Sequence, residues 1–212
     1  MAVTPDPVAE AVEAALAGLL VVFPTDTVYG VATRPDDPEA TARLFAAKGR
    51  VRDLTLPVLV PSAAAARTVA ELDARAEALV ETFWPGALTI VLPRSRVSAP
   101  WDLGGDGSSV GVRMPAHPLA RAVLSAAGPL AVTSANRSGQ PPATTCDALR
   151  SVFGDLVDVY LCEERPLEGT SSTVVDLAHG VPRLLRRGDL SADDIARFLP
   201  VGDALLDSRP SP

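Results

Sequence analysis

Cysteine and histidine are both scarce: Cys146, Cys162, His117 and His179 are the full complement in 212 residues. Two cysteines are too few for a disulfide framework, and with two distant histidines they match no zinc spacing. Both read as small core or surface residues rather than redox groups. Long apolar runs are absent too. The longest near the start, Leu19–Phe23, follows Glu10 and Glu13, which matches neither a membrane span nor a secretion signal and leaves a soluble cytoplasmic protein as the expectation. The chain lacks GxxxxGK[ST], GxGxxG after a strand, and the GxSxG elbow, so any nucleotide site is built another way. Positive charge is in deficit, and a net charge of −7 opposes a broad nucleic-acid footprint.

What is present suits one globular domain. Hydrophobic residues make up 47% and charged residues 21%, enough to bury a core without staples. Asp6-Pro7 and Asp37-Pro38 are helix starts, with an acid at the N-cap and proline in the first turn. Further helices are expected over 62–70, 73–83, 118–127 and 147–153, with Ser191 opening a closing one. Strands are expected over 19–23, 56–60, 88–92, 110–113, 130–133, 157–161, 173–177 and 183–187. This irregular alternation predicts an α/β fold with a mixed sheet over residues 1–200, followed by a disordered tail at 201–212. Two stretches rich in proline, glycine and polar residues, Ser95–Ser108 and Arg137–Thr145, read as loops able to close over a site.

Small polar residues gather where apolar strands end. Phe23-Pro24 stops a buried strand and delivers Thr25-Asp26-Thr27 to its end, the place where open α/β sheets bind ligands. That triplet reads either as a ligand floor or as a plain turn with Asp26 satisfying nearby backbone. Lys48-Gly49-Arg50 closes a helix, where its charges suit either the helix dipole or a polyphosphate. Ser109 and Arg113 bracket a strand and share one face, so Arg113 is either a carboxylate clamp or a solvated surface arginine. Thr133-Ser134-Ala135-Asn136, followed by Ser138-Gly139, resembles an anion loop. Ser171-Ser172-Thr173 and Arg186-Arg187 add hydroxyls and positive charge. General acids and bases are few. His117 reads as a helix-start residue. Positioning and electrostatics, as in phosphoryl or nucleotidyl transfer, fit this inventory.

The clusters carry a resemblance. PTDTVYG at 24–30, KGR at 48–50, WPGALT at 84–89, VGVRMPAHP at 110–118, TSANRSG at 133–139, SSTVVD at 171–176 and LLRRG at 184–188 stand in the order found in the YrdC-like threonylcarbamoyl-AMP synthases. The chain resembles the short, single-domain members of that family. The resemblance implies an open, twisted mixed sheet with flanking helices around a large cationic cavity. It implies ATP with Mg2+, L-threonine and bicarbonate as substrates, with threonylcarbamoyl-AMP and diphosphate as products, for N6-threonylcarbamoyladenosine in tRNA. Carried over by motif, Lys48, Arg50, Ser134 and Asn136 are the central catalytic set, and no protein metal ligand is expected. Thr27, Arg113, Thr133 and Ser172 hold L-threonine. Lys48, Arg50, Ser109, Asn136, Thr144 and Arg186 serve ATP. Asp26 is expected to shape its loop rather than to react. The product is expected to pass to a tRNA threonylcarbamoyl-transferase, with tRNA binding weak or indirect. One departure stands out. Val51–Val60 lacks the asparagine and histidine that many members carry after KGR. Two other readings compete: an RNA-binding module of the same fold, and a carbamoyl-adenylating domain like that of hydrogenase-maturation proteins, whose accompanying segments are missing here.

Overall fold

The structure is a computed structural model that describes residues 6–167, 169–199 and 205–207. In chain order its strands are β1 (Val21–Phe23), β2 (Gly30–Thr33), β3 (Val58–Leu59), β4 (Leu88–Pro93), β5 (Ser109–Arg113), β6 (Leu130–Ser134), β7 (Val159–Tyr160), β8 (Thr173–Asp176), β9 (Arg183–Arg186) and β10 (Leu206–Asp207). The helices are α1 (Pro7–Leu16), α2 (Pro38–Lys48), α3 (Ala63–Val69), α4 (Ala74–Phe83), α5 (Pro118–Ala127), α6 (Cys146–Phe153) and α7 (Ala192–Ala196). The expected N-caps form. Asp6 accepts from Val8 N at 3.0 Å and Asp37 from Glu39 N at 2.9 Å, each cap contributing about 1 kcal/mol.

All ten strands join one sheet in the order β10-β9-β8-β4-β5-β3-β6-β2-β1-β7. The pairs β1–β7, β3–β5, β4–β8 and β9–β10 are parallel and the others antiparallel, so the sheet is mixed as expected. Strand β10 lies inside the stretch expected to be a disordered tail: Leu206 and Asp207 pair with Arg183 and Leu184. Residues 201–204 and 208–212 of that stretch lie outside the described residues.

Alternation along the strands sorts the side chains onto two faces. One face, with Val22, Val31, Val58, Ile90, Val112, Ala131 and Val175, packs on Leu44 and Phe45 of α2, Ala66 and Val69 of α3, and Ala76 and Leu79 of α4. The opposite face is divided. Over β1, β2 and β6, Val21, Phe23, Ala32, Leu130 and Val132 are covered by Ala11 and Ala15 of α1 and by Ala120, Val123 and Leu124 of α5. Over β5, β4 and β8 the same face carries Ser109, Gly111, Arg113, Thr89, Val91, Val174 and Asp176, and these line a cavity. The composition of the face decides this: where it turns polar, no apolar helix is held against it.

Two expectations are corrected. Cys146, the first residue of α6, and Cys162, two residues beyond β7, form a disulfide with their Cα atoms 5.8 Å apart. Neither is a free core or surface thiol, because the turn after α6 brings β7 back beside β1 and closes a sequence gap of 16 residues. Nor is the 95–108 connection a loose lid. Ser98 and Leu103 are fully buried, and the Arg94 guanidinium donates to the carbonyls of Trp101, Gly104 and Ser109, pinning the loop to the domain.

Candidate active site

The cavity encloses about 460 Å³ along the exposed half-face of the sheet and the ends of β1 and β6. Thr27, Arg50, Ser109, Arg113, Thr133, Ser134, Ser172 and Arg186 line it, so eight residues expected from six separate stretches of sequence converge. Ser109 and Arg113 stand four residues apart on β5, about 13 Å by strand rise, which gives the cavity two separate ends.

At one end Arg113 is fixed on three sides. Its Nε donates to the Gly86 carbonyl at 2.9 Å, Nη1 to Thr27 Oγ1 at 2.7 Å, and Nη2 to Asp26 Oδ1 at 2.7 Å. The residue is 5% exposed; burial pulls its pKa down, and the Asp26 charge pushes the other way. A guanidinium carries five N–H donors, so two remain, one on each terminal nitrogen. Asp26 also accepts from Ala116 N at 2.9 Å and so ties the first strand's loop to the one after β5. This is the loop-shaping role expected of it. The Thr25 hydroxyl donates to the Val28 carbonyl at 2.6 Å and accepts from Thr27 N at 3.2 Å. Thr25-Asp26-Thr27 is therefore a turn, and its Thr25 and Thr27 line the cavity.

Beside Arg113, the Arg186 guanidinium donates to the Ser172 carbonyl at 2.9 Å and to Ser172 Oγ at 2.8 Å, and Ser172 Oγ lies 2.9 Å from Thr89 Oγ1. Burial lowers the Arg186 pKa, and repulsion from Arg113 and Arg50 lowers it further. Three guanidiniums thus feel one another across the cavity, against the carboxylates of Asp53 and Asp176 in its lining.

Arg50 arrives from the other side of the sheet. Helix α2 ends at Lys48, and Gly49 takes the left-handed conformation (φ 58°), its N–H returning to the Ala46 and Phe45 carbonyls. That reversal swings Arg50 toward the cavity; a side chain at position 49 would be strained there. Arg50 Nη1 donates to Thr133 Oγ1 and Nη2 to the Thr55 carbonyl, each at 3.2 Å, while Nε is buried without a protein acceptor. A buried guanidinium N–H on a cavity wall suits an anionic oxygen.

Lys48, the single lysine of the chain, is 3% exposed. Its ammonium donates to the carbonyls of Ser134 and Asn136 and, at 2.8 Å, to Asn136 Oδ1. Burial, with Arg50 nearby, draws its pKa down to about 8. Asn136 Oδ1 also accepts from Ser134 Oγ at 2.6 Å, and its amide nitrogen donates to the carbonyls of Arg137 and Gln140. Lys48 and Asn136, expected to touch the nucleotide, instead spend these groups on each other and on the backbone, and neither lines the cavity. They brace the turn that carries Ser134. Thr144 is exposed and away from the lining, and its carbonyl accepts from Leu167 N at 2.9 Å. Arg137–Thr145, the other expected lid, contributes no lining residue.

Residues the motifs did not single out complete the wall. Asp53, Leu54 and Thr55 line the cavity, with Leu54 56% exposed, so the segment just after KGR is the one that borders the opening. Asp176 and His179 line it near the Ser109 end, joined through His179 Nδ1 and Asp176 Oδ2 at 2.9 Å. Asp176 closes the SSTVVD motif, which is read for its hydroxyls alone; nothing in the sequence marks His179.

The fold and site define a mixed-sheet α/β protein with an open cavity lined by three arginines. Its kinship is specific. The family model named Sua5/YciO/YrdC, described as telomere recombination, matches residues 13–188, and the chain belongs to that family. A Mycobacterium tuberculosis protein provisionally named threonylcarbamoyl-AMP synthase is 44% identical over 94% of this chain and 92% of its own length. The threonylcarbamoyl-AMP synthase of Chromohalobacter salexigens is 36% identical over 84% of this chain and 96% of its own. Among solved structures, Pyrococcus abyssi Sua5 complexed with L-threonine superposes with a TM-score of 0.87 at 35% identity, covering 96% of this chain. The chain spans 60% of that protein's length. Escherichia coli YciO shares the fold, with a TM-score of 0.81 at 23% identity over 92% of this chain and 95% of its own.

Proposed function

We propose that the chain is an L-threonylcarbamoyladenylate synthase, a nucleotidyltransferase that makes threonylcarbamoyl-AMP and diphosphate from L-threonine, bicarbonate and ATP. The observation that carries this reading is the pair of arginines: Arg113, pre-set with two free N–H donors at one end, and Arg50, with a buried unpaired Nε at another wall. Together they suit a carboxylate and a phosphate within one cavity. The names of the relatives and the L-threonine complex of the P. abyssi protein support the choice of substrates.

In this reading the α-carboxylate of threonine lies on Arg113, and the hydroxyls of Thr27, Thr133 and Ser172 orient the amino acid. Its free amine attacks carbon dioxide, releasing a proton to water, or bicarbonate, from which water leaves, and the carbamate forms. The carbamate oxygen then attacks the α-phosphorus of ATP, the P–O bond to the β-phosphate breaks, and diphosphate leaves. Arg50 and Arg186 offset charge on the phosphates, and Ser109 extends the ATP side. No side chain needs to take a proton in the transfer step, in keeping with the scarcity of bases here. Mg2+ enters this reading as the ATP complex, and no step is routed through it. When present it neutralises polyphosphate charge.

The product, a labile mixed anhydride, passes to a tRNA threonylcarbamoyl-transferase, with tRNA contact weak or indirect and the setting cytoplasmic. Among the described residues no helix is long and apolar enough to cross a membrane. The decisive experiment is diphosphate release from ATP. Release that requires both L-threonine and bicarbonate is expected; release indifferent to threonine overturns the reading.

A further inference from the structure

The Cys146–Cys162 bridge lies outside the cavity, but the chain it anchors runs into it. Sheet order places β7 at one edge and β8 seven strand positions away. At about 4.8 Å per position the gap is about 34 Å, which the connecting residues 161–172 can reach with little slack, at most about 43 Å from strand to strand. The path therefore depends on where the chain is pinned. Leu161 N donates to Val22 O at 2.8 Å, Glu163 N to Tyr29 Oη at 3.0 Å, and Leu167 N to Thr144 O at 2.9 Å. Glu163 also lies 3.3 Å from His117 Nε2. Further on, Gly169 presses on the floor itself: a Cβ there would fall 1.7 Å from the Thr27 carbonyl oxygen. The segment ends in Ser171 and Ser172, which line the cavity, as does Tyr29. Near its start, the disulfide is its one covalent tie to α6.

We propose that this disulfide is a thiol–disulfide exchange site that sets the affinity for the amino-acid substrate. Both cysteines are half-buried, within reach of a small thiol. The partner is a dithiol: one of its thiolates attacks Sγ of a bridge cysteine and forms a mixed disulfide, and its second thiolate displaces that cysteine. The dithiol leaves oxidised, having given two electrons and two protons to Cys146 and Cys162. Reduction unties residues 161–167 from α6, which loosens the hold of residues 169–172 on Thr27 and the placement of Ser172. Both residues serve threonine in the function proposed above, on which this inference rests, whereas Arg50 and Ser109 are anchored elsewhere.

The test uses the full chain, air-oxidised or reduced with dithiothreitol. Diphosphate release is measured against L-threonine and against ATP, and backbone hydrogen exchange is followed by mass spectrometry. Reduction is expected to raise the half-saturating threonine concentration about fivefold, the scale on which ordering a few side chains weakens binding, with the ATP requirement unchanged. Exchange at 27–29 and 163–172 is expected to quicken. The Cys146→Ser/Cys162→Ser variant is expected to match the reduced chain with or without dithiothreitol. Free thiols in the oxidised chain, equal threonine dependence in both states, or a dithiothreitol response in the double variant overturns the proposal. If neither state shows threonine-dependent release, the function fails and exchange alone decides: unchanged rates at 163–172 overturn the redox tie, and quickened rates uphold it.

Discussion

Arg113 is held in place before any ligand arrives. Three of its donors are committed to Gly86, Thr27 and Asp26, so the two that remain are pre-aimed and lose little entropy on binding. Arg113→Ala is expected to raise the half-saturating L-threonine concentration about 10- to 100-fold, the worth of charge-assisted hydrogen bonds, with a much smaller effect on ATP. Steady-state titration of each substrate checks this, and the opposite ranking removes Arg113 from the threonine end. Lys48 makes a different prediction. Its folded pKa of about 8 lies below the ordinary lysine value of 10.5. Between these values the unfolded chain holds the proton and the folded one does not, so stability from this residue rises with pH across that window. Urea denaturation at pH 7.5 and pH 10 should show the stability difference between wild type and Lys48→Met shifting toward wild type by up to about 3 kcal/mol. At this scale the sequence marked the polar residues well but not their division of labour. Lys48 and Asn136 lie in the right motifs, yet only the hydrogen bonds show that they brace a turn.

The site's elements are short, and each ends where a polar group is needed. Pro24 stops β1, Gly49 reverses the chain after α2, and β6 runs out at Ser134. These endings were legible because proline, glycine and N-cap residues act locally. Strand lengths were less so: the expected strand over 56–60 is only Val58–Leu59, since pairing with both β5 and β6 holds for just two residues. Loops were the least legible. The 95–108 connection looks mobile in composition but is nailed down by Arg94, whereas Asp53–Thr55, noted in the sequence only for the residues it lacks, borders the cavity. The segment over Thr27 has an equally hidden requirement. Gly169→Ala places a methyl carbon 1.7 Å from the Thr27 oxygen, so the two backbones must part. The variant is expected to keep its circular dichroism spectrum and lose several-fold in threonine affinity, roughly 1 kcal/mol. Unchanged affinity would show that the segment does not shape the floor.

The whole molecule is a sheet with one face fully covered and the other half covered. Helices α1 and α5 stop where the face changes from Val, Phe and Leu to Ser, Thr and Arg, and the cavity is what remains. Three arginines share it, and their mutual repulsion is relieved by an anion. ATP and L-threonine together should therefore stabilise the fold. At a hundredfold excess of each over its dissociation constant, a rise of roughly 10–20 °C in Tm is expected by thermal unfolding, and Arg50→Ala should reduce the part due to ATP.

The sequence by itself determined the α/β class, the helix starts, the faces of the strands and most of the polar side chains that line the cavity, because hydrophobic period, N-caps and strand-end polar clusters are local signals. Tertiary structure decided what is set by distance. It paired Asp26 with Arg113 across 87 residues and Lys48 with Asn136 across 88, and it closed Cys146 onto Cys162. Those contacts depend on strand order, which side-chain pattern does not encode: two strands of the same composition pair or stay apart according to the crossovers between them. The resemblance named the ligands expected of such a site. The fold supplied the reason Arg113 and Arg50 can face one cavity, since they reach it from opposite sides of the same sheet.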